Sequence, residues 1–289
     1  MPELPEVETI RRGFKKYLTG KKIISVKVKV PKLVKLPVAQ FKKLLRGSKI
    51  KDVRRRAKLL IIDLSNKFSL LIHLKMTGQL VYRRPGGQLL AGGHPIKDGL
   101  ENLPNKYSHI VFTFNDQSNL FFNDLRKFGW MKVIATDQVE KYLREVGYGP
   151  EPLDQAFTLK KFKKMLAGRE KSKIKALLLK QDFIAGLGNI YCDEACFYAK
   201  IHPLRTVKSL TDQEIKKLYQ GIKKVLKDSI ELGGTSFDQY VNIDGARGGY
   251  VPRLKVYQRQ GNPCRRCCTK IVKIKAAGRG THFCPKCQI

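Results

Sequence analysis

Two short stretches of this 289-residue chain carry residue types that can do chemistry. The first is the amino terminus, where Pro2 is followed by Glu3, Glu6 and Glu8. Met1 precedes a small residue, the context in which an initiator methionine is removed. Pro2 then carries a free secondary amine, which can attack an aldehyde-like carbon and form an iminium, as a Schiff-base lysine does. The positive end of a helix disfavours the protonated amine and raises the nucleophilic fraction. Glu3 is close enough to shuttle protons. The ordinary account of acids in a first helical turn is complementarity to the helix dipole. On the residues alone that account stands ahead of catalysis, but it explains only one or two of the carboxylates and does not explain Pro2. The second stretch is Cys264-x2-Cys267-x16-Cys284-x2-Cys287, whose spacing is that of a zinc site. Four thiolates close a tetrahedral site, which is structural and leaves no coordination position for catalysis.

The elements that must hold these residues follow from periodicity. Leu4, Val7, Ile10, Phe14 and Tyr17 or Leu18 recur at helical spacing, so the chain opens with an amphipathic helix that Gly20 ends. Pro2 and Pro5 fall in its first turn, where a missing N–H costs nothing. Ile24, Val26, Val28 and Val30 alternate with polar residues, as in a half-buried strand. Leu59–Leu64, Phe68–Leu74, His109–Phe114, Asn119–Phe122 and Trp130–Ile134 also have strand character, with a helix around Val38–Leu45. Consecutive strands of this kind predict a sandwich of sheets, not a parallel βαβ fold. Arg83–Asn105, rich in glycine and proline, is expected to be a long loop.

At Gly147–Pro152 (GYGPEP) the pattern changes, which marks a linker. Helical stripes follow at Leu159, Phe162 and Leu166, and at Ile174, Leu177 and Leu178. The strongest helix begins at Thr211 with Glu214 completing a capping box, runs through Ile215, Leu218, Ile222, Val225 and Leu232, and stops at Gly233–Gly234. The expected division is 1–146, a linker at 147–152, a helical domain at 153–250 and a zinc segment at 251–289.

Lys plus Arg number 58 against 24 Asp plus Glu, a net charge of +34, and the pI is about 10.0. Such a balance points to a polyanion, nucleic acid ahead of membrane surface. With 42% hydrophobic residues the chain can build real cores, which excludes a disordered basic tail. The apolar runs are too short for a membrane span, and the N-terminus lacks the apolar stretch of a signal peptide. Cys192, Cys196 and Cys268 complete the seven cysteines. With no secreted disulfide framework, a reducing cytoplasm is the expected compartment.

The string MPELPEVETIRR closely resembles the start of the formamidopyrimidine-DNA glycosylases, bacterial base-excision enzymes also called 8-oxoguanine glycosylases. AKLL around Lys58, HLKMTG at His73–Gly78, NDLRKFG at Asn123–Gly129, GPEP at Gly149–Pro152, AGLGNIYCDE at Ala185–Glu194, KIHP at Lys200–Pro203 and GRGTHFCPKCQ at Gly278–Gln288 match in order. The resemblance therefore covers nearly the whole chain. It implies an α+β multidomain fold with an N-terminal helix and β-sandwich, a central helix–two-turns–helix domain and a C-terminal β-hairpin zinc finger.

It also implies roles. Pro2 attacks C1′ of the damaged nucleotide, Glu3 is the catalytic acid and Glu6 a supporting carboxylate. Lys58 and His73 contact phosphate. Met76, Arg126 and Phe128 form a wedge that fills the space of the extruded base, with Arg126 on the orphaned cytosine. Asn189 contacts phosphate from the helix–two-turns–helix element, Arg279 grips phosphates flanking the lesion, and Tyr257 and Lys273 add contacts. Cys264, Cys267, Cys284 and Cys287 hold one structural zinc, and no organic cofactor is implied. Ser236–Tyr250 falls where relatives carry a loop over the extruded base. Relatives vary at Thr77, which is given no base-reading role, and commonly have glycine where this chain has Cys268, a spare thiol that could compete with Cys267 for metal.

Without the family, Lys58 in Arg54–Lys58 belongs to a solvated strand face, His73 is structural, and Met76 and Phe128 are core. The Gly186–Tyr191 stretch lacks the third glycine of a dinucleotide fingerprint and lies among helices, so it suits a phosphate-contacting helix junction instead. The expected function is excision of oxidised purines and cleavage of the strand, on damaged double-stranded DNA, by a cytoplasmic, nucleoid-associated monomer with no membrane partner. Two alternatives remain at this point: an endonuclease VIII-like glycosylase for oxidised pyrimidines, disfavoured by Leu4–Pro5, and a non-enzymatic zinc-ribbon nucleic-acid binder. A pure binder gains nothing from three carboxylates facing a phosphate backbone.

Overall fold

The computed structural model describes residues 1–96, 100–235 and 249–289. The expected lesion-covering loop, Ser236–Tyr250, lies almost entirely outside the described residues. The chain divides into two compact units, Met1–Val146 with Leu232–Gly249, and Gly147–Glu231 with Tyr250–Ile289. No helix among the described residues is long and apolar enough to cross a membrane.

The first unit opens with α1 (Leu4–Leu18) and β1 (Ile23–Val28), then α2 (Val38–Leu45), β2 (Ile50–Arg56), β3 (Leu59–Leu64), β4 (Phe68–His73), β5 (Gly78–Arg83), β6 (Leu89–Gly93), β7 (Ser108–Phe114), β8 (Asn119–Asp124), β9 (Trp130–Ala135) and α3 (Val139–Val146). The strands form two antiparallel sheets, β1-β7-β8-β5-β6 and β2-β3-β4-β9. One core joins them. Val7, Ile10, Phe14 and Leu18 of α1 pack with Leu60, Ile62 and Ile72 of one sheet and Leu80, Phe112 and Phe122 of the other. Burying such side chains contributes about 1.5–3 kcal/mol each, so the apolar stripe of α1 is what fixes the N-terminus to the sandwich.

Four details differ from expectation. Pro2 precedes the helix instead of lying within its first turn, and Glu3 is the cap. In β1 a bulge between Ile23 and Ser25 shifts the register, so Ile23 and Val26 face the core while Ile24 faces solvent. Arg83–Asn105 is not one long loop. Gly86 and Gly87, both at positive φ, turn the chain sharply, and Leu89–Gly93 returns as β6 against β5. Lys58 is not on a strand; it occupies the turn between β2 and β3, after Ala57 at φ 53°.

The second unit contains α4 (Leu159–Leu166), α5 (Ile174–Leu178), α6 (Asn189–Ala199), α7 (Asp212–Glu231) and the hairpin β10 (Val272–Ala276) and β11 (Arg279–Phe283). Thr211 and Glu214 exchange the two bonds of the capping box, at 2.8 and 3.2 Å. Phe157, Phe162, Phe183 and Tyr219 make an aromatic cluster against α4 and α7.

Cys268 lies at φ 60°, with its N–H on the Cys264 carbonyl at 3.0 Å and its thiol exposed. A left-handed conformation strains any residue with a Cβ. Cys268→Gly should therefore stabilise the protein by about 0.5–1 kcal/mol. Thermal denaturation of the zinc-loaded protein checks this, and an unchanged or lower midpoint contradicts it.

Candidate functional site

The site is built from the amino terminus outward. Glu3 and Glu6 form a reciprocal capping box: the Glu3 N–H donates to Glu6 Oε2 at 2.8 Å, and the Glu3 side chain accepts the Glu6 N–H. Both acids are buried, at 3% and 7% exposure, and Pro2 is buried beside them. Glu6 Oε1 also accepts the N–H and hydroxyl of Thr235 at 2.9 and 2.8 Å. A carboxylate kept out of water by design, next to a proline, is more than a dipole complement.

Glu8 has a different task. It accepts from Arg11 at 2.7 Å, Arg12 at 3.0 Å and Arg55 at 3.1 Å. Burial works to raise its carboxyl, and the Arg11, Arg55 and Arg12 guanidiniums overcome this and hold it below the ordinary range. Arg55 in turn donates to the Ala57 carbonyl at 2.9 Å. One ion-pair chain thus ties α1 to the turn that carries Lys58. Lys58 is itself 5% exposed, an uncommon burial for a cation.

His73 ends β4, opposite Leu59 and Trp130 of its neighbouring strands. Its Nδ1 accepts the Lys75 N–H at 3.0 Å, which leaves the proton on Nε2. Burial first, then the positive charges of Lys75 and Lys58, push its pKa down to about 3. His73 is therefore a neutral N–H donor.

Met76 follows Lys75, which is at φ 51°, and Arg126 and Phe128 flank Lys127, which is at φ 56°. Neither Met76 nor Phe128 is core: Phe128 is 54% exposed, and the Arg126 guanidinium lies 4.6 Å from its ring centroid. The first unit thus brings Pro2, Glu3 and Glu6 together, places Lys58 near His73, and sets Met76 beside the Arg126–Phe128 loop.

In the second unit, Asn189 is the first residue of α6, where N–H groups and the helix dipole favour a phosphate. Its Nδ2 donates to the Gly280 carbonyl at 2.8 Å, beside Arg279 at the start of β11. Arg279 and Lys273 are exposed; Lys273 pairs with His282 across the hairpin, and its side chain lies against Gly280. Tyr257 stands 5.0 Å from His282, ring to ring. The sulfurs of Cys264, Cys267, Cys284 and Cys287 lie within 4.8 Å of one another, with Cys264–Cys287 at 3.9 Å, Cys267–Cys284 at 3.5 Å and Cys267–Cys287 at 3.3 Å. A tetrahedral zinc with bonds of about 2.3 Å sets sulfurs about 3.8 Å apart, so the quartet fits. Burial and the neighbouring sulfurs push Cys287 up to about 12. Four thiolates this close repel one another, and a bound cation offsets that repulsion. Cys268 is not among the four.

Residues 1–131 match the N-terminal domain of formamidopyrimidine-DNA glycosylases, residues 148–241 their H2TH domain, and residues 261–289 a zinc finger found in FPG and IleRS. A formamidopyrimidine-DNA glycosylase of Heliobacterium modesticaldum is 43% identical over 289 residues, covering 100% of both chains. One from Listeria innocua is 42% identical over 291 residues, again covering 100% of both. The chain belongs to the formamidopyrimidine-DNA glycosylase family.

Solved structures agree with this family. A Lactococcus lactis FPG mutant in complex with Fapy-dG containing DNA gives a TM-score of 0.89 at 40% identity, covering 99% of each chain. A structure of MutM in complex with carbocyclic 8-oxo-G containing DNA gives 0.87 at 40% identity, with the same coverage. The glycosylase fold of helices, antiparallel sheets and a cysteine-bearing hairpin is thus the fold of this chain, and its four clustered cysteines are a structural zinc site.

Sequence reasoning missed several residues that hold the site. Lys175, Asp193 and His282 form a buried polar cluster behind Gly280: Lys175 reaches Asp193 at 2.5 Å and Thr281 at 2.7 Å, and Asp193 accepts the His282 N–H at 2.9 Å. Glu194 accepts the N–H groups of Lys255, Val256 and Tyr257 at 2.9–3.1 Å. Burial raises its pKa against the pull of those three donors. Gln181 links Gly186 and Leu187 at the helix junction. The only available signal was an acid or amide inside an otherwise apolar stretch.

His73 supplies a pH prediction. Its folded pKa is far below 6.5, so the unfolded state binds the extra proton and stability falls as the pH drops from 6.5 toward 3. His73→Gln keeps a neutral donor and removes this titration. The variant should lose less stability than the wild type over that interval, by on the order of a few kcal/mol. Urea denaturation at stepped pH measures it; parallel curves for the two proteins contradict the assignment.

Proposed function

We propose that this protein excises oxidised purines from duplex DNA and cuts the strand at the resulting abasic site, with Pro2 as nucleophile. The observation that carries the mechanism is the buried Pro2–Glu3–Glu6 cluster at the cap of α1. Once Met1 is removed, the Pro2 nitrogen bonds to C1′ of the damaged nucleotide as the bond from C1′ to the base breaks with its electron pair going to the base; the nitrogen gives up its proton, and its lone pair then displaces O4′, which Glu3 protonates, so that the C1′–O4′ bond breaks and the ring opens. The sugar stays on the enzyme as an iminium, which accepts electrons as the C2′ proton leaves and the C3′–O bond breaks. A second elimination breaks the C5′–O bond. Glu3 moves the protons, and Glu6 holds Glu3 and the cap in place.

The other candidates divide by chemistry. Lys58, His73, Asn189, Arg279, Tyr257 and Lys273 take phosphates, the lysines as point charges and His73 as a neutral donor. Met76, Arg126 and Phe128 fill the vacated stack, and Arg126 bonds the orphaned cytosine. The zinc holds the hairpin that presents Arg279. The substrate class is supported by the relatives solved on DNA containing Fapy-dG and 8-oxo-G. The division into 1–146, 147–152, 153–250 and 251–289, action as a monomer and residence in the cytoplasm on the nucleoid complete the proposal.

Borohydride reduces an iminium to a stable amine, so it traps the enzyme on an 8-oxoguanine duplex. Intact mass should show protein lacking Met1 and an adduct on Pro2, and Pro2→Gly should lose most of the trapping. No adduct with processed protein would sink the mechanism, and faster cleavage of thymine glycol than of 8-oxoguanine would replace the substrate class. A separate prediction concerns charge: affinity for undamaged duplex should fall by about 10³-fold or more between 50 and 200 mM salt if at least six phosphates are neutralised. A shallow salt dependence in a filter-binding titration counts against the DNA-facing role of the basic surface.

A further inference from the structure

The wedge is made of two pieces that are 50 residues apart in sequence, Met76 and Arg126 with Phe128. They leave the ends of neighbouring strands, since Gly78 of β5 pairs with Asp124 of β8. One carboxylate serves both. Asp124 Oδ1 accepts the Thr77 hydroxyl at 2.5 Å and the Arg126 N–H at 3.1 Å, and Oδ2 accepts the Gly129 N–H at 2.7 Å. The Thr77 oxygen also accepts the Arg126 N–H, at 2.9 Å. Asp124 is fully buried and Thr77 nearly so. Two glycines seal the arrangement. A Cβ on Gly78 would meet the Leu74 carbonyl at 2.4 Å, and one on Gly129 would meet the Phe122 ring at 2.6 Å and Asp124 Oδ2 at 3.1 Å.

The loop so clamped presents Leu125 and Phe128 more than half exposed, with the Arg126 guanidinium stacked on Phe128. Two large apolar side chains left half in water cost the free protein apolar burial that a base stack would supply. Entering a base stack costs a few kcal/mol of unstacking, and a wedge that had to be ordered at that moment would add its own entropy cost. We propose that Asp124 and Thr77 are positioning residues that lock the two wedge pieces into one rigid body, so that Met76, Arg126 and Phe128 enter the duplex in a single step. The inference rests on the wedge role assigned above. It gives Thr77 a task that involves no contact with a base.

Thr77→Val keeps the shape of the side chain and removes both of its hydrogen bonds. Thr77→Ser keeps the hydroxyl. Asp124→Asn places an amide donor where two N–H groups and a hydroxyl converge. The measurement is single-turnover excision of 8-oxoguanine opposite cytosine, in a duplex carrying 2-aminopurine beside the lesion, whose fluorescence rises when it unstacks. Thr77→Val should slow the fluorescence step and excision together by about tenfold, the value of one hydrogen bond to a charged acceptor. Thr77→Ser should restore both, and Asp124→Asn should be slower than Thr77→Val. A Thr77→Val enzyme that unstacks at the wild-type rate overturns the proposal, whether or not excision is slowed. So does a Thr77→Ser enzyme as slow as Thr77→Val. Wild-type protein that excises nothing would instead refute the function on which the inference rests.

Discussion

A carboxylate that is buried and bonded to several backbone N–H groups is expensive to desolvate and correspondingly hard to displace. This protein uses that interaction repeatedly. Glu6 takes the Glu3 and Thr235 N–H groups, Asp124 takes those of Arg126 and Gly129, and Glu194 takes those of Lys255, Val256 and Tyr257, while Asp193 takes the His282 N–H together with the Lys175 ammonium. Each acid holds a segment that carries a proposed catalytic or DNA-contacting side chain. The arrangement answers a problem set by composition. With a net charge of +34, cationic side chains gathered toward a polyanion repel one another before it arrives. Anchors made of opposite charge, placed beneath the loops and bonded to backbone, hold those side chains without neutralising their guanidinium and ammonium groups.

Where an acid does pair with cations, it works at one remove from the chemistry. Glu8 consumes Arg11, Arg12 and Arg55, and through Arg55 it steadies the turn before Lys58. Lys175 pairs with Asp193 behind the hairpin that presents Arg279. The charge total therefore divides into a generic surface that attracts DNA and a few cations whose geometry is fixed. The excess of 40 lysines over 18 arginines belongs to the first group, because point charges suit attraction better than base reading.

What the sequence made legible was local. The Thr211–Glu214 capping box, the helix at Val38–Leu45, the strand at Leu59–Leu64 and the cysteine quartet depend on residues a few positions apart, or on a spacing with one chemical meaning. The proposed roles of Pro2, Glu3 and the Met76, Arg126 and Phe128 wedge rest on resemblance, since nothing local distinguishes an exposed Phe128 from a core phenylalanine. What stayed hidden depends on partners far along the chain. Ile24 keeps perfect alternation yet faces solvent, because a bulge at its own strand pair moves the register. Gly86 and Gly87 signalled a break correctly, but whether that break was a loop or a hairpin turn was decided by the pairing of Leu89–Gly93 with β5. Asp124, Asp193 and Glu194 bond to residues that no window of periodicity includes.

The same logic accounts for three backbone irregularities. Ala57, Lys75 and Lys127 adopt left-handed conformations although each has a Cβ, at φ 53°, 51° and 56°. They stand next to Lys58, Met76 and Phe128. A left-handed residue with a Cβ costs about 1–2 kcal/mol, and glycine would remove that strain. Glycine would also return freedom to a turn whose value lies in holding one side chain at one angle. Ala57 is held through its carbonyl by Arg55, Lys75 through its N–H by His73, and Lys127 between the two N–H groups that Asp124 fixes. In each case an interaction from outside the turn over-determines the conformation, which is the condition for strain to persist at a functional site. A turn held this way keeps one geometry in the free protein, so stability is given up there for order that the proposed DNA contacts would not have to impose.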